Sequence, residues 1–132
     1  MPSVAPELKR YLLTILFQGQ APPAALWVGL SSKAETDAET LADVAASEIT
    51  SAGYKRQPVE PKDWTLKPGA LEVSMEVFFV NTGQRPWAAA KAAFVATSED
   101  NSGVLVAATP FRGQRIVMPG DRLHMPVSVS LE

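Results

Sequence analysis

The sequence predicts a mainly β protein: an antiparallel β-sandwich, jelly-roll-like, with an N-terminal amphipathic helix and a short helical insertion after the first strand. Three observations carry that expectation. Apolar residues alternate with polar ones from Leu71 to Phe79 and again from Leu123 to Leu131, the period-two mark of strands with one buried face. Turn clusters, "NTGQRPW", "SEDNSG" and "MPGD", punctuate the second half of the chain. Near the start, Leu8, Tyr11, Leu12, Ile15 and Leu16 recur at three- and four-residue spacing, which places them on one helical stripe.

The helix is expected over about 6–18, with Pro6 in its first turn, Gly19 at its stop, and Leu13 and Phe17 widening its apolar side. Pro22 and Pro23 prevent its continuation, so "QAPPAA" is a connector into a strand at Ala25 to Leu30. In that strand Leu26, Val28 and Leu30 take one face, and Trp27 and Gly29 the other. Thr36 and Glu39 then have capping-box spacing, and Leu41, Val44, Ala45 and Ile49 mark one side of a short helix ending near Gly53; an ordered alanine-rich loop is the alternative.

Beyond Gly53 the signals are those of strands. "YKRQPVE" is expected at a sheet edge, because Pro58 has no N–H to give to a ladder. The strand from Leu71 turns Glu72, Ser74 and Glu76 to water, while Phe78 and Val80 interrupt that polar face, as in a strand covered on both sides or one presenting a patch to a partner. Strands follow around Lys91 to Thr97 and Val104 to Ala108, then a separate short one in "RGQRIV", then a last one with Leu123, Met125, Val127, Val129 and Leu131 facing inward. Six to eight strands result, in one domain spanning 1–132 with the sandwich over about 24–132.

The charge balance narrows the partners. Twelve basic and fourteen acidic residues give a net charge of −2, so no global field draws the chain to phosphate backbones or anionic lipid, and neither nucleic acid nor membrane is an expected partner. With no cysteine there are no disulfides and no thiol chemistry. The apolar run near the N-terminus is too short to span a bilayer and lacks the basic start of a signal peptide, which reads as synthesis in a cytoplasm.

No reaction centre emerges. His124, the single histidine, lies on the polar side of the last strand without a nucleophile motif, so an exposed or interface role is expected over catalysis. The acids Glu35, Asp37, Glu39, Glu99, Asp100 and Asp121 lack calcium-loop spacing and suit turns and a helix start, and no glycine-rich phosphate cradle precedes a helix. No catalytic, cofactor-binding or metal-binding residue is assigned. Trp27, Trp64 and Trp87 could form an aromatic platform for sugars; core or inter-subunit packing is the favoured reading.

The succession of "ALWVGL", an acidic helical insertion, "GYKRQPV", a long alternating strand ending in "NTGQRPW", "GVLVAATP" and "VMPGDRLHMPVSVSLE" resembles a family of small structural proteins of tailed bacteriophages, described as tail fibre, minor tail or accessory virion proteins. The resemblance runs from Glu7 to Leu131, with Leu26 to Leu30, Gly53, Tyr54, Arg56, Trp87, Gly120, Asp121 and Leu123 in family positions. The chain departs from it in the alanine-rich "DAETLADVAASEITSAG" and in "AAFVAT". The resemblance implies a non-enzymatic virion structural protein, made in the host cytoplasm, whose partners are other virion proteins of the major capsid or the tail. The expected role is a capsid decoration or cement protein, homo-oligomeric with a trimer favoured as a closed ring. A tail or tail-fibre attachment component and a host-glycan-binding module are the alternatives. The residues expected at its interfaces are Leu8, Tyr11, Leu12, Ile15, Trp27, Phe78, Val80 and Trp87.

Overall fold

The structure, a computed structural model, describes residues 4–36, 39–69 and 72–130. Its strands form two antiparallel sheets. In one, β1 (Leu26–Ser31) lies between β2 (Gln57–Val59) and β5 (Ala90–Ala96), and β6 (Leu105–Arg115) closes the order β2-β1-β5-β6. In the other, β4 (Glu72–Val80) lies between the two-residue β3 (Thr65–Leu66) and β7 (Arg122–Ser130). Two helices, α1 (Pro6–Gln18) and α2 (Leu41–Ala45), and one 3-10 turn at Pro61–Asp63 complete the described elements.

Period-two alternation puts the core where the sequence predicts it. Val28 and Leu30 of β1 join Val77 and Phe79 of β4, and Met125, Val127 and Val129 of β7, in one buried cluster between the sheets. The other side of β1 explains its glycine. Phe94, paired with Gly29 on β5, turns its ring outward over that position, so a Cβ at Gly29 would overlap the ring and press on the Tyr54 hydroxyl. Phe94 heads a second apolar cluster on the outer face of the larger sheet, where Leu41 and Val44 of α2 cover Phe94, Ala96, Leu105 and Ala108.

The first helix has the expected ends. Pro6 sits in its first turn, and Gly19 stops it in the left-handed conformation, φ 72°. Leu8 is buried in the main core, and Tyr11 and Leu12 pack against it. Glu7 ties three elements together: its Oε2 accepts from the N–H of Leu41 at 2.9 Å and of Leu105 at 3.1 Å, satisfying the first turn of α2 and the start of β6 at once.

Two expectations about local structure are corrected. The helical insertion is one short turn and a half, not a helix reaching toward Gly53. Its cap is Thr40, whose side chain accepts from Asp43 N–H while the Asp43 carboxylate accepts from Thr40 N–H. The Thr36–Glu39 pair forms a separate turn four residues earlier, with Thr36 N–H donating to Glu39 at 3.3 Å, and Asp37 and Ala38 between them lie outside the described residues. Ile49 belongs to the main core instead, because residues after Ser47 run back along β1, with Ile49 N–H on Leu30 O at 3.1 Å. Likewise "RGQR" is not a separate strand: β6 continues through it, with register shifts against β5 between Ala90 and Ala92 and between Val95 and Ala96 that absorb the extra residues.

Arg56 fastens the insertion to the sheet. Its side chain is 3% exposed, and all five of its N–H donors are used. Nε and Nη2 grip the Glu48 carboxylate at 2.9 and 2.8 Å, Nη1 donates to the carbonyls of Ser98 and Asp100, and Nη2 also reaches Asn101 Oδ1 at 2.7 Å. The guanidinium carbon stands 5.1 Å from the Phe94 ring centre. Tyr54 completes the set, accepting from Leu30 N–H at 2.9 Å and donating to Glu48 at 2.7 Å; burial, then the Glu48 charge, pushes its phenol far above the ordinary range.

Two outcomes follow from these buried charges. Arg56→Ala strands the Glu48 carboxylate and the turn carbonyls, and denaturant unfolding should show a loss of about 3–5 kcal/mol. Glu35 is 3% exposed, and its carboxyl is raised above the ordinary glutamate range, first by burial and then by Glu39. A raised carboxyl favours the folded state below its folded pKa and costs stability as pH rises through it, so Glu35→Gln should melt higher than the parent at neutral pH, with the gap closing as the pH falls. A gap that widens on acidification would contradict the assignment.

Candidate interaction surfaces

Three of the four sheet edges carry a proline. Pro58 stands opposite Trp27 in β2, Pro110 opposite Ala92 in β6, and Pro126 opposite Glu76 in β7. A proline within a paired strand must turn its nitrogen to the free side, which removes a donor from the edge that a new strand would need. The fourth edge, β3, has two residues. These edges are poorer templates for strand addition than unbroken ones, which turns attention to the faces.

The eight residues expected at interfaces fall into three groups. Leu8, Tyr11 and Leu12 pack inward on the chain's own core, and Ile15 lines the cleft between α1 and the sheets with Leu26, Trp64 and Val106. Four of the five residues of the predicted stripe thus turn to the chain's own core, where they cover the open end between the two sheets; the fifth, Leu16, does not. What α1 leaves outside is Leu13, Leu16 and Phe17, with Phe17 78% exposed. Trp27 is half-buried on the outer side of β1.

Trp87 is the clear correction. It is 3% exposed, its indole N–H donates to Ala52 O at 3.1 Å, and it meets Tyr54 edge-on with ring centres 5.5 Å apart. It is core, so it offers no surface to a partner and no platform to a sugar. Trp64 also packs against the core, and its buried indole N–H has no hydrogen-bond partner among the described residues.

Phe78 and Val80 are exposed, as a patch on the outer face of the smaller sheet. Phe78 stacks on His124 across the β4–β7 ladder, with ring centres 4.3 Å apart and planes 11° from parallel. His124 Nε2 lies 3.3 Å from the Glu76 carboxylate, and Val80 pairs with Arg122. The result is an apolar centre with ionisable groups around it. Among the described residues, no group of three or more His, Asp or Glu comes together as metal ligands would. Asp100 is held below the ordinary aspartate range by hydrogen bonds from Ser102, which closes the β5–β6 turn.

Two glycines and a buried asparagine are joints of this fold. Gly53 and Gly83 bring two backbones so close that a Cβ on either would overlap the other segment. Asn81, 1% exposed, donates from Nδ2 to Arg85 O and Val117 O, both at 2.9 Å, while its backbone exchanges bonds with Gly120 and Asp121. Nothing in the isolated sequence marked Asn81 as more than a turn residue; its spacing before Gly83 was the only signal. In comparisons with known proteins, no family model and no curated sequence matches the chain.

The contrast between the two aromatics is testable. Trp87→Ala should cost about 3–5 kcal/mol of folding stability because it empties a packed site. Phe78→Ser should shift unfolding by no more than about 0.5 kcal/mol, as surface changes do. Equal effects in calorimetry would refute the division into core and surface.

Proposed function

We propose that the chain is a non-enzymatic structural protein of a tailed-bacteriophage particle, a jelly-roll-like sandwich that serves as a capsid decoration or cement protein. It oligomerises, with a trimer favoured, and binds the major capsid shell through its faces. The observation that carries the reading is the pairing of blunted sheet edges with two separate exposed apolar patches, Leu13, Leu16 and Phe17 on α1, and Phe78 and Val80 on β4. A chain with two such patches can meet one neighbour with each, which is what bridging shell subunits requires. The order of its sequence motifs, which resembles phage virion proteins, supplies the particle.

Light scattering at micromolar concentration should give the mass of a closed oligomer, and quantitative mass spectrometry of purified particles should find the chain in numbers comparable to the shell protein. A few copies per particle would move it to the tail, and absence from particles would end the reading. The Phe78→Ser variant should keep its fold and lose its place on the particle.

A further inference from the structure

Beyond this role, the geometry points to a ligand site in the seam between β6 and β7: a cleft for an amphipathic monocarboxylate, an aliphatic chain with one acidic head. β6 and β7 are the edge strands of different sheets and share no ladder, so the core is open between them. Small side chains keep it open. Ala93, Val95 and Ala107 on the larger sheet face Met125, Val127 and Val129 on β7, and side chains as short as alanine do not fill the ~10 Å between packed sheets. A cleft of about 410 Å³ remains, within the size range of small-molecule sites.

Its mouth differs from its floor. Thr109, Phe111, Ser128 and Arg115 line the entrance, and they are half-buried or exposed where the floor residues are buried. The Arg115 guanidinium carbon lies over the Phe111 ring, 5.5 Å from its centre. Among the described residues, no acidic side chain lines the cleft and none makes an ion pair with Arg115. A planar cation at the rim of an apolar slot complements a carboxylate head whose tail enters the slot, with Thr109 lining the same entrance. The three-residue excursion of β6 after Pro110 is what brings Phe111 and Arg115 to the same entrance, since Ala92 pairs with Pro110 and Ala90 with Arg115.

Titration of the full chain, labelled with ¹⁵N, with sodium decanoate below its micelle concentration tests this. Saturable shifts confined to β5, β6 and β7, with a raised melting temperature, are expected, together with no response to acetate and weaker binding of decanol. Arg115→Gln, a change at an exposed side chain, should keep the fold and weaken decanoate about tenfold, to the level of decanol. Ala107→Leu should fill the slot and abolish binding without lowering the melting temperature. Absence of saturable shifts, a lowered melting temperature with decanoate, or equal affinity in Arg115→Gln overturns the proposal.

Discussion

The buried Arg56 guanidinium is the constraint around which the larger sheet is organised. Between β1 and β2 the chain must travel 25 residues and return to pair with the strand it left, and a connection of that length has no reason of its own to lie on one face. Arg56 gives it one. By gripping Glu48 in the connection and the carbonyls of Ser98 and Asp100 in the β5–β6 turn, it fixes the connection against the far end of the same sheet. α2 is then held over Phe94, and the outer face of the sheet becomes a second small core. A hydrophobic set of the same volume could match the stability of this ion pair; what the charges add is a single permitted geometry, because any other leaves them unpaired.

Much of this was legible in the residues. Strands with one wet face announce themselves, so the alternation of β4 and β7 located both the inner core and the exposed Phe78 and Val80. Proline and glycine located the ends of α1 and the edge character of β2. The insertion was misread for a physical reason: alanine-rich text has helical propensity throughout, while the forces that end α2 at Ala45 are tertiary, namely the return of Glu48 and Ile49 to β1. For Trp87 the sequence favoured core or inter-subunit packing without choosing, and the indole bond to Ala52 O and the edge contact with Tyr54 decide for the core over the interface. Arg56 is harder still. A lone arginine before an edge strand carries no local sign that five acceptors from two segments will converge on it.

The helix stripe teaches a similar lesson about surfaces. Amphipathic spacing says that one side of α1 must be covered, and it is silent on whether the cover comes from the same chain. Here the two sheets leave an open end where β1 begins and β5 finishes, and Leu8, Tyr11 and Leu12 close it. The residues that sequence periodicity treats as a margin, Leu13 and Phe17, are the ones left in water, together with Leu16. An apolar residue at the margin of a stripe has only part of its surface to give to its own core, and that geometry makes it available to a neighbour.

The outer face of the smaller sheet has features that suit docking more than accident. An exposed aromatic on a free rotamer would lose that freedom on binding, but Phe78 is already held by its stack on His124, which is itself beside Glu76. The ring is therefore constrained before any contact, with Val80 next to it and the ionisable Glu76, His124 and Arg122 around it. In contacts of this kind an apolar centre supplies burial, and an ionisable rim penalises surfaces whose charges do not answer it. Edges that disfavour a strand and a face prepared for contact lead to the same consequence. They leave the outer faces, more than the edges, as the surface this fold presents, and they limit the open-ended pairing that an unprotected sheet edge invites.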